Sequence, residues 1–586
     1  MRAFVAVSRK RRSRHPPQRD PVRLRLEEAE QVVGAAFPTA EPPDLVEAWI
    51  SPSGGAGVLV WSNEGLSSGW LMRKGENLLV VLGMTSRDGL SAMWKTRRLA
   101  KGVLTTPGTF TAVRCRRRGI EIASSVMPAS QLYFGETDDI RVVASRAAFV
   151  SALCGNVRLK MDNVLAFHSM VRAGFLTGVD TPYKNVRLLP LNSSVIMGDG
   201  FCELSGPEHP VGVTGEAFDV ERGATTVAEA LVESLALMRD RDAPLRLTLS
   251  GGRDSRLMAA ALHAAGVPFE AVTIGFPGDT DVELAKVVAE KLRVPIRVQP
   301  RADSVEGQMF VEHPVNRARR VVDLAEATTS AWDDLHPPTG WVGRVSISGI
   351  GGEVLRGGYS YSMTEVTAEE ARRKVHNLFG ASRLHTVHSN EAAQARAEPW
   401  LRLVEEDAFR AMDLLYLYER LGRWGLARAS VTTRNAFFSP FLDNLVLRSV
   451  LGIPPDLRMS ERLSASLVSL LAPELTDVPL EGRPWRFVGS DHREPTPRAV
   501  RRDWRLLTDT GLYELIAAEV LPREDEDPLC GLVNATELRR VIEDRTIRPS
   551  TLWHLLTVRV ALEFDRYGAY RQAREMTVPV FMSSSQ

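Results

Sequence analysis

The sequence predicts an α/β protein of two domains, and three observations carry that reading. Residues 48–197 hold short apolar runs of strand length, residues 207–223 collect Gly, Pro and acidic residues, and beyond them strand and helix patterns alternate. At 586 residues the chain is too long for one core. Hydrophobic residues at 44% and charged residues at 25% are globular values, and a net charge of +1 gives no global field for nucleic acid or a membrane surface. The cysteines (Cys115, Cys154, Cys202, Cys530) lack metal-type spacing and are too sparse for a disulfide scaffold. There is no apolar run of membrane-spanning length and no apolar signal core, so a cytoplasmic protein without a membrane span is expected.

Taken in order, Met1–Val7 reads as a strand, followed by the basic run Ser8–Pro17, a solvated loop or a docking surface for an acidic partner. Gly57–Trp61 and Leu78–Leu82 read as buried strands, and Thr109–Arg114 with Gly119–Ala123 as a hairpin around a basic turn. Gln131–Phe134, Arg141–Ser145 and Leu188–Leu191 complete a first domain over 1–206. After the linker at 207–223, a second domain over 224–586 opens with an amphipathic helix at Val227–Met238. Strand patterns then fall at Leu245–Leu249, Phe269–Gly275 and Ile296–Val298, with helices between them. From Ala392 onward the pattern is mostly helical.

The chemistry concentrates in Leu249-Ser250-Gly251-Gly252-Arg253-Asp254-Ser255-Arg256. A strand ends in a glycine turn and a helix begins, an arrangement whose free backbone N–H groups form an anion site. Gly251 and Gly252 admit a phosphate close to the main chain, Ser250 and Ser255 add hydroxyl donors, and Asp254 can hold a Mg²⁺ that bridges phosphate oxygens. The order Ser-Gly-Gly-x-Asp-Ser resembles the pyrophosphate loop of ATP pyrophosphatases and does not fit the Walker pattern.

A second resemblance covers most of the chain. Gly108-Thr-Phe, Leu132-Tyr-Phe, Val143-Ala-Ser, Gly174-Phe-Leu and Thr181-Pro-Tyr…Leu189-Pro190 follow one another as in the glutaminase domain of asparagine synthetases. Ser348-Gly349-Ile350-Gly351-Gly352-Glu353-Val354-Leu355-Arg356-Gly357-Gly358-Tyr359 resembles the synthetase stretch Ser-Gly-x-Gly-Ser/Gly-Asp-Glu-Leu-Phe-Gly-Gly-Tyr, and Ser439–Asn444 resembles its Pro-Phe-Leu-Asp. The resemblance implies an N-terminal αββα (Ntn-type) glutaminase-like domain and a C-terminal ATP-pyrophosphatase-type domain with a parallel sheet and a helical extension. It implies ATP and Mg²⁺ as cofactors, with Asp254 and Glu353 as metal ligands. Ser250, Gly251, Gly252, Arg253, Asp254, Ser255, Gly349, Gly351 and Gly352 would line the nucleotide site, with Val272, Thr273 and Gly275 near adenine. Asp443 is read as structural.

Departures from the family refine the expectation. Arg2 stands where the family exposes its cysteine nucleophile, so the first domain reads as a retained scaffold that makes no ammonia. The chain has no Lys beyond Lys374, and Arg462 is the candidate for the family's catalytic positive charge, without its proton chemistry. Ile350 replaces the Tyr or Glu of relatives and cannot be a base, which leaves Glu419 or Glu461 for that role. The resulting expectation is an AMP-forming amide ligase most similar to the lasso peptide macrolactam synthetases. Its substrate would be a precursor peptide, with a leader peptidase and a leader-binding protein as further partners. An asparagine-synthetase-like or β-lactam-synthetase-like ligase acting on a small molecule, and a catalytically silent binding scaffold, are the alternatives.

Overall fold

The computed structural model describes residues 2–11, 20–36, 39–41, 43–64, 69–206, 220–239, 245–300, 307–333, 335, 337, 340–426, 436–482, 484–488, 504–506, 511–523, 526–563 and 577–582. The first half builds β1 (Arg2–Arg9), β2 (Asp44–Ile50), β3 (Ala56–Ser62), β4 (Leu71–Lys74), β5 (Asn77–Met84) and β6 (Thr109–Arg116). It continues with β7 (Gly119–Ser124), β8 (Tyr133–Glu136), β9 (Ile140–Ala144), β10 (Arg187–Leu188), β11 (Ser194–Gly198) and β12 (Phe201–Ser205). These form two antiparallel sheets, in the orders β10-β8-β9-β1-β3-β2 and β12-β11-β7-β6-β5-β4.

Alternation along β1 explains how the sheets stack. Phe4 and Ala6 face inward against Leu78, Val80, Val113 and Ile122 of the other sheet, while Ala3, Val5 and Val7 face outward beneath the helices Pro21–Ala36 and Ala147–Leu153. On the far side, Leu79, Val81 and Ala112 pack under the helices Arg87–Lys95 and Leu99–Thr105. The result is the helix–sheet–sheet–helix layering implied by the resemblance. Two strands differ from expectation. The expected Gln131–Phe134 strand begins at Tyr133, and Leu188–Leu191 contributes only Arg187–Leu188, because Pro190 has no N–H to give a ladder.

The second half holds a five-stranded parallel sheet built from β13 (Leu245–Thr248), β14 (Phe269–Ile274), β15 (Ile296–Gln299), β17 (Val345–Ile347) and β18 (Ala436–Phe438), ordered β15-β14-β13-β17-β18. β16 (Gly307–Glu312) pairs separately and antiparallel with β19 (Thr577–Met582). The helix expected at Val227–Met238 runs Val220–Ala236, so the last residues of the expected linker are helical; its earlier part, like most of the basic Ser8–Pro17 run, lies outside the described residues. Leu231, Leu235, Leu257, Ala261, Val288 and Leu467 seal the sheet from helices on its faces.

The two halves are joined through shared cores and polar contacts. One cluster extends from Val5 and Phe149 to Val321, Trp553 and Val580. Asp443 accepts the Gly108 N–H, Asn444 accepts the Val126 N–H, and Gly422 accepts the Gln131 side chain. Among the described residues no helix is long and apolar enough to cross a membrane.

Candidate active site

The loop after β13 closes on itself. Ser250 N–H donates to Ser255 Oγ at 3.1 Å, the two hydroxyls lie 3.0 Å apart, and Gly252 N–H reaches Ser250 Oγ at 3.2 Å. Gly251 N–H donates to Asp281 Oδ1 at 2.5 Å, from the first turn of the helix Thr280–Lys291. The sequence pattern predicts these N–H groups free for an anion; in the structure they are satisfied by side chains, as partly buried donors must be. Asp281 is therefore a neighbour of the loop that the sequence did not reveal. The helix Arg253–Ala264 then begins at Gly252, with Asp254 in its first turn.

The second glycine motif packs directly on the first, across a separation of about a hundred residues. A Cβ on Gly349 would lie 2.9 Å from Ser255 N, and one on Gly352 would lie 2.6 Å from both Cβ and Cγ of Asp254. A side chain at Gly349 would push on the main chain of the first loop, and one at Gly352 on the Asp254 carboxylate itself. Gly351 adopts φ +90°, a conformation glycine enters without cost, and turns the chain against Leu442. The short helix Gly352–Arg356 follows, carrying Glu353 and Arg356.

Three charges meet there. Arg356 Nη2 donates to Asp254 Oδ2 at 2.6 Å. Burial pushes the Asp254 carboxyl up to about 6; Arg356 opposes the shift, and the nearby Glu353 carboxylate adds to it. Burial and Glu353 likewise hold the Tyr416 phenol above its ordinary value. Arg356 stands where the resembled stretch has Phe, so the departure was visible, but its contact with Asp254 was not.

A second polar knot lies beside the loop. Glu461 is fully buried, forms an ion pair with Arg253 at 2.7 Å from Nε, and accepts Tyr361 Oη at 2.8 Å and Arg486 N at 2.8 Å. The Tyr361 ring is approached by two guanidinium groups, that of Arg356 4.7 Å from the centroid and that of Arg486 4.0 Å from it. Arg462, the next residue after Glu461, is exposed; its N–H reaches Ser460 Oγ and its guanidinium lies 5.7 Å from the Phe487 ring centroid. Glu419, the other candidate base, is buried elsewhere, accepting Gly178 N–H at 2.7 Å and Trp400 Nε1 at 3.2 Å, and burial raises its carboxyl.

Of the residues expected near adenine, Val272 and Thr273 have buried side chains, whereas Ile274 is 47% exposed. Gly275 is pressed against Val282 and Asp279, leaving no space for a Cβ. Contact with a base from Val272 and Thr273 would therefore have to come from the main chain. Ile350 is partly buried and lines a cavity that reaches back to Arg2.

At the other end of that cavity, Arg2 is tied into the sandwich. Its Nη1 donates to Val81 O at 3.0 Å and Gly83 O at 2.9 Å, its Nη2 to Glu64 at 2.8 Å, and its guanidinium lies 4.6 Å from the Trp70 centroid. Cys115 is enclosed between the two sheets, and burial holds its thiol far above the ordinary range. Neither residue offers a thiolate nucleophile at this end of the cavity.

The donor set suits a Mg²⁺–nucleotide. Asp254 and Glu353 are near enough to influence each other's charge, and among the described residues no third His, Cys, Asp or Glu completes an all-protein metal cluster. Magnesium is commonly held this way, by one or two carboxylates with phosphate and water supplying the rest.

Residues 226–468, which carry both glycine motifs, match the asparagine synthase family model, and the match supports an asparagine synthetase-like assignment for that stretch. Comparison with curated proteins finds no match. Among solved structures, glutamine phosphoribosylpyrophosphate (PRPP) amidotransferase from B. subtilis, complexed with ADP and GMP, is 9% identical, with 60% of this chain and 81% of that chain covered and a TM-score of 0.21. A structure of the allosteric regulatory enzyme of purine biosynthesis is also 9% identical, covering 64% of this chain and 77% of that one at a TM-score of 0.21. Likenesses this distant say nothing about the chemistry of this chain.

Proposed function

We propose that the protein is an ATP-dependent, AMP-forming amide ligase, and that its substrate is a peptide closed into a macrolactam. The observation that carries the ligase reading is the seating of Gly349 and Gly352 on Asp254, which brings the two family motifs into one site beneath Ser250 and Ser255. The reaction joins a carboxylate to the α-phosphorus of ATP with loss of pyrophosphate, and an amine then displaces AMP from the activated carbonyl. Asp254 and Glu353 would hold Mg²⁺, whose charge offsets that building on the departing pyrophosphate. The hydroxyls of Ser250 and Ser255 are placed to donate to phosphate oxygens, and Asp281 would release the Gly251 N–H to do the same. Arg356 keeps the Asp254 carboxylate compensated until the metal arrives.

The finer reading rests on the nitrogen source. A guanidinium fixed by two carbonyls and Glu64 has replaced the family's nucleophile, so the attacking amine comes with the substrate or from solution. A peptide N-terminus closing on its own Asp or Glu side chain, as in lasso peptide cyclases, meets that requirement, as does an external amine in an asparagine-synthetase-like reaction.

The discriminating experiment supplies ATP, Mg²⁺ and a leaderless candidate peptide. Ring closure gives a product lighter by one water with stoichiometric AMP and pyrophosphate, and N-terminal acetylation stops it. Incorporation of free ammonia would replace the cyclase reading with the small-amine one. Asp254→Ala should lower turnover by about 10²-fold or more while the protein stays folded; wild-type turnover in that variant would remove the ligase reading itself.

A further inference from the structure

On the outer edge of the sandwich, away from the nucleotide loops, five arginines surround one cleft. Arg97 and Arg98 come from the connection between two helices, Arg116 from the end of β6, and Arg117 and Arg118 from the turn joining β6 to β7. Among the described residues none of the five forms an ion pair with a carboxylate, and Arg97, Arg98, Arg117 and Arg118 are exposed. Glu121, among the described residues the only acidic one lining the cleft, is already engaged: Arg114 holds both its oxygens at 2.7 Å. Elsewhere in the chain, arginines at comparable exposure commonly find partners, as Arg372 does with Glu405 and Arg545 with Glu514.

The two arginine-bearing segments are fixed relative to each other. Arg114 is 1% exposed and donates to Met93 O and Thr96 O at 2.8 Å and to Arg97 O at 3.2 Å. Glu121 completes the brace by accepting the Leu99 N–H at 3.1 Å, and Arg116 Nη2 reaches Trp94 O at 2.9 Å. A buried charged network thus holds five like charges together at one place, an arrangement that mutual repulsion would otherwise disfavour. Ile196 and Phe201 supply an apolar side to the cleft, with Phe201 44% exposed.

We infer that this cleft docks an acidic peptide segment, with carboxylates taken by Arg97, Arg98, Arg116, Arg117 and Arg118 and an apolar side chain set against Ile196 and Phe201. Guanidinium groups match carboxylates in planar, two-bond geometry, and several together select a run of acidic residues. A single-stranded nucleic acid is less well served, since among the described residues Phe201 is the only aromatic ring lining the cleft. The cleft stands apart from the ligase site and gives the scaffold domain a task of its own.

Fluorescence anisotropy of the full chain with a labelled peptide of alternating Glu and Leu tests it. Binding should weaken at least about tenfold in R97E/R98E/R117E/R118E, fall steeply on adding salt, and be absent for the Lys–Leu counterpart. The milder R97Q/R98Q/R117Q/R118Q set keeps the test open if charge reversal impairs folding, and circular dichroism checks each variant. Replacing Leu by Ser in the peptide should also weaken binding, because the apolar side then goes unused. Unchanged affinity in both variants would overturn the proposal. So would an RNA oligonucleotide that outcompetes the peptide and is itself lost in the variants.

Discussion

Replacing Asp443 tests whether a single carboxylate holds three parts of the chain together. Its Oδ2 accepts Gly108 N–H at 2.5 Å and Ser234 Oγ at 2.9 Å, while Oδ1 accepts Leu445 N–H at 2.8 Å. Alanine leaves two buried donors and one partly buried donor without an acceptor, at ~1–3 kcal/mol each, or about 3–9 kcal/mol together. Asparagine retains Oδ1 for Leu445 and lets Ser234 turn its hydroxyl to accept, leaving only the Gly108 donor opposed. Burial outweighs the three donors and raises the Asp443 carboxyl from 3.8 to about 6. Keeping it ionised at neutral pH therefore costs roughly 3 kcal/mol, a cost either substitution removes, which leaves Asp443→Ala about 3 kcal/mol less stable than wild type at pH 7. For asparagine the two effects nearly cancel, so Asp443→Asn should fall within about 1–2 kcal/mol of wild type at pH 7. The sign with pH follows from the raised folded-state value. Between about 4 and about 6 the folded chain holds the proton more tightly than the unfolded one. Wild type thus loses this contribution as pH rises through that window and levels above it. Asp443→Asn should lack that component. Urea unfolding followed by tryptophan fluorescence at several pH values reads both effects. An Asp443→Ala midpoint close to wild type, or asparagine as damaging as alanine, would refute the assignment.

Three other outcomes are expected. Gly352→Ala should lower ligase turnover by about tenfold or more, because the new methyl displaces the Asp254 carboxylate, while circular dichroism remains native; full activity would show that the carboxylate position does not matter. The native protein should release no glutamate from glutamine, and its Cys115 should resist a thiol reagent until denatured; rapid labelling of Cys115 in the native state would contradict its enclosure.

What the sequence disclosed was mostly local. The strand–glycine–helix pattern at 245–264 and the hairpin at 109–124 emerge where expected because periodicity and turn residues act over a few positions. The same holds for Arg2, whose chemistry is excluded by its side chain alone. Partners distant in the chain stayed hidden. Asp281 satisfying Gly251, Arg356 compensating Asp254, and Tyr361 bonded to Glu461 depend on how separate elements dock, and no single-segment pattern encodes that. Glu461 and Arg462 show the limit most sharply. They are adjacent in sequence, but the left-handed turn at Glu461, φ +64°, sends the carboxylate inward at the start of a helix whose first residue faces solvent. Sequence reasoning could name both residues and could not assign them their sides.

The stretch Tyr416–Gly425 is wound as a π-helix, and its width has a consequence for how the chain can change. Tyr416 faces Glu353, Glu419 and Arg423 hold Gly178, Leu176 and Asp180, and the Gly422 carbonyl receives Gln131. A π turn carries more residues than an α turn, so deleting one residue here would let the segment relax into the commoner winding. The residues from Tyr416 to Gly425 would then lose the angular spacing that aims them at their separate partners. Point substitutions can be absorbed in this segment one contact at a time. A change in its length cannot, because Tyr416 and the residues that grip the sandwich would no longer face their partners together; the residue count of this helix is itself a fixed dimension of the protein.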